Sequence, residues 1–270
     1  MEDLKVTLIQ SDLFWEDIDR NLAHFSQQLA TLKDPGDLIL LPEMFNTGFT
    51  MRSEKLAEAM MGKTMTWMQQ QSKAKNCVLT GSLIIQENGM YFNRLLWIRP
   101  DGTFDTYDKR HLFRMAEEDT FYTAGKKKLL TEIKGWKICP LVCYDLRFPV
   151  WSRNKFTINP ASAKEYKAEY DVLIYIANWP ERRSHPWKAL LTARAIENQA
   201  YVIGLNRVGN DGNSIYYSGD SSVTDFKGET ISSNQSGREY TETIRLDYSK
   251  LDGFRKSFPV GLDADPFQLN

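Results

Sequence analysis

Cysteine is scarce in this sequence: Cys77, Cys139 and Cys143 are the three among 270 residues. A small, odd number excludes a disulfide framework and fits a reducing compartment. Histidine is equally rare. His24, His111 and His185 are scattered and form neither an HExxH spacing nor a CxxC paired with HxxxH, so no metal site is expected. No stretch approaches the roughly 18 consecutive apolar residues of a membrane helix. The start, MEDLKVTLIQSDLFWED, has no basic opening, long apolar run or small-residue cleavage site, which predicts a cytoplasmic chain without a signal peptide. An excess of one charge is also missing. With 34 Lys and Arg against 35 Asp and Glu, the formal net charge is -1, which argues against a nucleic-acid partner.

What is present is the composition of an ordinary globular protein, 42% hydrophobic and 26% charged. A chain of this length buries a substantial core without staples. Leu4–Gln10 alternates as a strand does, and Asp17–Leu32 carries apolar residues at helical spacing. Leu38–Leu41 is a compact apolar run suited to a buried strand, ending in Pro42-Glu43. Thr64–Lys73 reads as a helix. Cys77–Ile85 and Met90–Ile98 read as strands joined by Asn88-Gly89, and Asp101-Gly102 turns the chain into Phe104–Tyr107. Further strands are expected over Trp136–Val142, Asp171–Ile176 and Tyr201–Leu205, with helices starting near Pro149 and over Trp187–Asn198. Two more strands are expected to flank the turn Asp225–Gly228, and the polar stretch Asn154–Glu169, with Pro160, reads as a surface insertion. Alternating strands and helices predict an α/β fold in a single domain spanning 1–270.

Three residues draw attention, two of them at the ends of apolar runs. Glu43 follows the strand over Leu38–Leu41, where the alternative is a helix cap. Lys109 lies in Tyr107-Asp108-Lys109-Arg110-His111, a stretch that also reads as a solvated face. Cys143 closes Ile138-Cys139-Pro140-Leu141-Val142 and opens a polar turn into a helix. A cysteine there is otherwise a small core hydrophobe. Ligands of open α/β sheets bind beyond the carboxyl ends of strands, which favours a chemical role for Cys143 and Glu43. A helix N-terminus and a nearby lysine would each lower the thiol's pKa. Cys77 and Cys139 lie inside strands and read as packing residues.

The segments Leu40-Leu41-Pro42-Glu43-Met44-Phe45, Tyr107-Asp108-Lys109-Arg110-His111-Leu112-Phe113 and Cys143-Tyr144-Asp145-Leu146-Arg147-Phe148-Pro149, in this order, resemble those of the nitrilase, or carbon–nitrogen hydrolase, superfamily. Arg194-Ala195-Ile196-Glu197-Asn198 and Tyr217-Ser218-Gly219-Asp220-Ser221 extend the resemblance over almost the whole chain. Within the superfamily, Lys109–Ala116, Ala177-Asn178-Trp179-Pro180, Ala193–Tyr201, Asn206-Arg207-Val208-Gly209 and the C-terminal Lys256-Ser257-Phe258-Pro259 with Asp263–Phe267 are most similar to bacterial omega-amidases, the 2-oxoglutaramate amidase group.

The resemblance implies a four-layer αββα sandwich and a homodimer, with the tail over about 247–270 contributing to its interface. It implies Cys143 as nucleophile, Glu43 as general base, Lys109 as stabiliser of the tetrahedral intermediate and, counting back from Gly125, Glu118 in preference to Glu117 as the second glutamate. It implies no metal and no organic cofactor. The small-molecule substrate of such an enzyme carries a carboxylate far from its amide. Arg147 is the expected cation for it, the alternative being an ion pair with Asp145. Tyr144 offers a backbone N–H to the oxyanion, and Phe45, Phe148 and Trp179 are expected to wall the pocket, core packing being the alternative for each. The competing readings are another amidase or nitrilase reaction on the same fold, such as hydrolysis of N-carbamoyl amides or deaminated glutathione, an inactive binding protein, and a Cys–His enzyme using His111 or His185.

Overall fold

The computed structural model describes residues 1–159, 161–233 and 235–269. Its strands are β1 (Leu4–Gln10), β2 (Leu38–Leu40), β3 (Val78–Glu87), β4 (Met90–Ile98), β5 (Phe104–Asp108), β6 (Thr131–Ile133), β7 (Trp136–Val142), β8 (Phe156–Asn159), β9 (Ser162–Ala168), β10 (Val172–Ala177), β11 (Tyr201–Asn206), β12 (Val208–Asn210), β13 (Tyr216–Ser218), β14 (Ser222–Thr224) and β15 (Tyr240–Leu246). The helices are α1 (Ile18–Thr31), α2 (Ser53–Leu56), α3 (Lys63–Lys75), α4 (Glu118–Phe121), α5 (Pro149–Ser152), α6 (Ser184–Asn198) and α7 (Tyr248–Ser257). Among the described residues, no helix is long and apolar enough to cross a membrane.

Two sheets carry the fold. One runs β15-β1-β2-β3-β4-β5 and the other β14-β11-β10-β7-β6. Within them β1, β2 and β3 are parallel, as are β7, β10 and β11. Side chains of a strand alternate between faces, and the first sheet uses both. Leu4, Val6, Leu8, Leu38, Leu40, Leu95 and Trp97 point to a core shared with the second sheet. Ile9, Ile39, Leu96 and Ile98 face the other way, onto Leu22, Phe25 and Leu29 of α1 and Met65 and Met68 of α3. On the far side, α6 lies against β11, with Trp187 and Leu191 so close to Gly204 that a Cβ there would come within 2.4 Å of Leu191. The layers are helix, sheet, sheet, helix: a nitrilase-like αββα sandwich.

Several elements depart from the sequence reading. Asn154–Glu169 is a β-hairpin, β8 against β9, rather than an irregular insertion; Pro160 lies outside the described residues. The helix at Pro149 is one turn long. Of the two strands expected around Asp225–Gly228, only β14 forms, and Thr230 makes a single bridge back to Thr224. β15 was not anticipated; it pairs with all seven residues of β1.

Candidate active site

The carboxyl ends of β2, β7 and β10 point to one spot, and the turn after β5 meets them there. Beyond β2 the chain is pinned to β3: Met44, at φ 43°, donates its N–H to Ser82 Oγ at 2.9 Å, and Phe45 N–H reaches Ser82 O at 3.2 Å. This tight turn swings Glu43 into the interior. Lys109 follows β5 and is tied by its N–H to Asn93 O on β4 at 2.9 Å. Its carbonyl accepts from Gly125 N–H at 2.9 Å, and a Cβ on Gly125 would sit 2.0 Å from Asp108 O, so only glycine permits this return of the chain. Cys143 follows directly on β7 at φ 44°, a left-handed conformation that is costly for a non-glycine residue and is found at functional sites.

Asp145 fixes that turn. Its Oδ2 accepts from Val142 N–H at 3.1 Å and Tyr107 OH at 2.7 Å, and its Oδ1 from His111 N–H at 3.0 Å. His111 Nδ1 also contacts Oδ1, at 2.7 Å. With its oxygens occupied in this way, Asp145 forms no ion pair with Arg147, and the alternative role expected for that arginine falls away. His111 is held by Asp145 and stacks on Phe148 at 3.9 Å; His185 is exposed on α6. Neither is placed to act as the base of a Cys–His enzyme.

Glu43, Lys109, Glu118 and Cys143 come together in the interior. Lys109 Nζ lies 2.9 Å from Glu43 Oε1 and 2.9 Å from both Glu118 oxygens, all three side chains being fully buried. Glu118 Oε2 also accepts Phe113 N–H at 2.6 Å. Glu117 is exposed and in the left-handed region, outside the cluster. Two asparagines join these groups. Asn178 donates its N–H to Glu43 Oε2 at 2.8 Å and its Nδ2 to Glu43 O at 2.5 Å, and its carbonyl accepts the Cys143 thiol at 3.8 Å. Asn93 Nδ2 donates to Glu43 Oε1 at 2.8 Å and Glu118 Oε1 at 3.3 Å.

Ionisation follows from burial and neighbours. Burial and the Glu43 carboxylate push the Cys143 thiol well above its ordinary value, and the opposing pull of Lys109 does not compensate. The expectation of a lowered thiol pKa is therefore reversed: with two carboxylates against one ammonium, a thiolate would add negative charge to a site already in deficit of cations. Burial opposes charge on Lys109, but Glu118 and Glu43 outweigh it and hold the ammonium above its ordinary value. Burial raises Glu118, with Lys109 opposing.

Cys143 and Lys109 line a cavity of about 640 Å³. Tyr144, Arg147 and Trp179 line it as expected, the Arg147 guanidinium lying 5.1 Å from the centre of the Trp179 ring. Phe45 and Phe148 do not line it. Phe45 is packed beneath α1 and α3, edge-on to Phe25 at 5.5 Å, because the turn that carries Glu43 inward sends the neighbouring side chain to the outer face of the sheet. Phe148 backs Tyr144 and His111. Phe49, Met51 and Phe113 supply apolar wall that the sequence reading did not anticipate. Arg182 and Arg183 also face the cavity, and among the described residues none of Arg147, Arg182 and Arg183 pairs with a carboxylate. The acids on the wall are already engaged: Glu16 by Arg52 and Thr50, Asp211 by Tyr217 OH and two backbone N–H groups.

The description "Carbon-nitrogen hydrolase" belongs to the family whose profile matches residues 5–256. The chain is 45% identical over 269 residues to the omega-amidase YafV of Escherichia coli (strain K12), covering 100% of both, and 28% identical to the 2-oxoglutaramate amidase of Bacillus subtilis (strain 168), covering 94% of this chain and 95% of that one. Its backbone is similar to the crystal structure of XC1258 from Xanthomonas campestris, described as a CN-hydrolase superfamily protein with an arsenic adduct in the active site: TM-score 0.95, 41% identity, 100% of both chains.

Proposed function

The chain belongs to the carbon–nitrogen hydrolase family, and on that premise we propose that it is an omega-amidase, hydrolysing the terminal amide of 2-oxoglutaramate and similar 2-oxo acid amides to the dicarboxylate and ammonia. The observation that carries the reading is the pairing of a buried Cys143, Glu43, Lys109 and Glu118 cluster with a cavity onto which Arg147, Arg182 and Arg183 open without an acidic partner among the described residues. A substrate with an amide at one end and a carboxylate at the other matches both halves.

In this reading Glu43 takes the Cys143 proton as the sulfur attacks the amide carbon, and Lys109 Nζ with the Tyr144 backbone N–H holds the resulting oxyanion. Removing one such donor typically costs about 2.7–4 kcal/mol in rate. Collapse of the intermediate breaks the C–N bond, Glu43 passing its proton to the departing nitrogen, and ammonia leaves a thioester on Cys143. Water, deprotonated by Glu43, then attacks that thioester and the carboxylate product and free thiol are restored. Glu118 keeps Lys109 charged and aimed. A thiol that stays protonated at rest suits this order, since the proton is removed by Glu43 only as the bond forms. Arg147 binds the distal carboxylate in a bidentate pair, with Trp179 supporting its guanidinium plane.

We further propose that the chain forms a single domain and works as a homodimer in the cytoplasm. The free state of all three cysteines is what a reducing compartment allows. Exposed Ile196 on α6 and Phe258 in the tail support a shared interface, and Gln199 Nε2 ties the two segments together through Phe258 O at 2.8 Å.

Steady-state kinetics on 2-oxoglutaramate, glutamine, a simple nitrile and an N-carbamoyl amino acid test the assignment. The highest kcat/KM is expected for 2-oxoglutaramate. A nitrile or carbamoyl compound turned over more efficiently would overturn it.

A further inference from the structure

Lys109 has three N–H protons, and its three contacts use them all: Glu43 Oε1, Glu118 Oε1 and Glu118 Oε2, each at 2.9 Å. To stabilise an oxyanion it must release at least one. That release would strip a donor from a buried carboxylate unless another donor remains. The remaining donors are in place. Glu43 Oε2 keeps Asn178 N–H at 2.8 Å and Glu118 Oε2 keeps Phe113 N–H at 2.6 Å. The two Oε1 atoms share one side chain, Asn93, whose Nδ2 lies 2.8 Å from Glu43 and 3.3 Å from Glu118.

Asn93 is 1% exposed in the middle of β4, in a run otherwise rich in apolar residues, and its backbone carbonyl holds the N–H of Lys109 itself. The amide can face only one way: reversing it would set Oδ1 against two carboxylate oxygens. In this orientation Oδ1 is buried without a partner. An apolar residue would avoid that unpaired oxygen but leave both carboxylates a donor short. The burial of an asparagine here serves the cluster rather than the strand.

We infer that Asn93 is a positioning residue for the amidase reaction: it spans Glu43 and Glu118 so that Lys109 can turn an N–H to the oxyanion while both carboxylates stay fixed. This inference rests on the roles proposed above for those three residues. Asn93 does not line the cavity, so its influence is on chemistry and not on substrate binding.

Two variants test it, Asn93→Asp, which is isosteric and replaces the shared donor by an acceptor, and Asn93→Ala, which removes it in a small side chain. In both, kcat on 2-oxoglutaramate should fall by roughly a hundredfold, the usual cost of small misplacements in a reacting constellation, with KM changed by less than about threefold. Lys109, Glu118, Cys143 and, farther off, Tyr122 are the titratable groups that act on Glu43's surroundings. A carboxylate at position 93 adds negative charge beside Glu118, whose carboxyl burial already raises, and pushes it up further. The acid limb of kcat/KM should therefore move to higher pH in Asn93→Asp by about one unit or more, and less in Asn93→Ala. A merely structural asparagine predicts lower thermal stability with kcat and pH profile unchanged, and that result in either folded variant overturns the inference. Cys143→Ala, run alongside, separates the two levels. If it is active, the amidase reading itself fails; if it is dead while the Asn93 variants behave as wild type, only the role of Asn93 is lost.

Discussion

Cys143 and its two fellow cysteines differ in what surrounds them. Burial is the main force that pushes the Cys77 and Cys139 thiols up to about 12, with Lys75 and Lys128 opposing it, and neither lines the cavity, whereas Cys143 sits among Glu43, Lys109 and Glu118 and opens onto the cavity. Cys143→Ala should abolish turnover and keep the fold, while Cys77→Ala and Cys139→Ala should lose packing energy only, on the order of 1 kcal/mol. In the free enzyme the rate of iodoacetamide reaction at Cys143, followed by mass spectrometry, should keep rising beyond pH 9, because the thiolate forms only above the ordinary thiol value. Glu43→Gln removes a neighbouring negative charge, so its alkylation profile should shift to lower pH even as turnover is lost; an unshifted profile would contradict the influence of the Glu43 carboxylate on Cys143. Arg147→Ala removes the cation proposed for the substrate carboxylate. Truncating one partner of a buried charge pair costs roughly 2–5 kcal/mol, so kcat/KM on 2-oxoglutaramate should drop by a factor of about thirty to several thousand. A neutral amide should lose far less. Equal losses on both substrates would make Arg147 a scaffold residue and move the search to Arg182 and Arg183, since Arg207 is buried against Asp12 away from the cavity.

Elements start and stop where side chains satisfy helix and strand ends. Asp17 caps α1, its Oδ1 accepting Arg20 N–H at 3.0 Å, and α1 in turn covers the outer face of the first sheet with Leu22, Phe25 and Leu29. Asp17→Ala should destabilise the protein by about 1 kcal/mol in urea titration without altering kcat, since the cap lies outside the cavity wall. The elements that escaped sequence reading are the short or polar ones. β8 and β9 were read as an insertion because their residues show no clean alternation, and a hairpin whose strands pair mainly with each other does not need one. β15 carries Thr241, Thr243 and Arg245 on its exposed face, and Glu242 precedes Ile244 and Leu246 on the other, so that only two of its seven positions show an apolar buried residue.

At the scale of the whole molecule, the two ends of the chain lie side by side. β15 pairs with β1 along its full length, and α7 sets Leu251 into the core between the sheets. Burying each such aliphatic side chain contributes roughly 1.5–3 kcal/mol, so Ile244, Leu246 and Leu251 together rival the net stability of a typical domain, about 5–15 kcal/mol. A chain ending at residue 239 should therefore fail to accumulate as soluble, folded protein. It would also expose the β1 edge, a template for strand association. Sedimentation of the full chain should give a dimer, and Ile196→Glu combined with Phe258→Glu should shift it toward monomer if those residues lie in the interface.

The sequence by itself determined most strands, the long helices α1, α3 and α6, and the strand-end placement of Glu43 and Cys143, because periodicity and strand ends are local properties written in neighbouring residues; Lys109 stood out only through its resemblance to a family segment. The preference for Glu118 over Glu117 came from the family resemblance, counted back from Gly125, and the fold buries Glu118 against Lys109 and leaves Glu117 exposed. Tertiary structure decided the rest. Which wall each aromatic joined depended on the turn after β2, which sends Glu43 in and Phe45 out. The raised thiol of Cys143 depended on its burial and on the carboxylates and ammonium that four distant segments bring together, and no stretch of sequence contains that sum. Asn93 had left one trace, a polar residue inside a buried strand, but its meaning required Glu43 and Glu118, 50 and 25 positions away, to arrive at the same amide nitrogen. Hydrogen bonds and Coulomb forces act over a few ångströms of space, and only the folded chain fixes which residues lie that close.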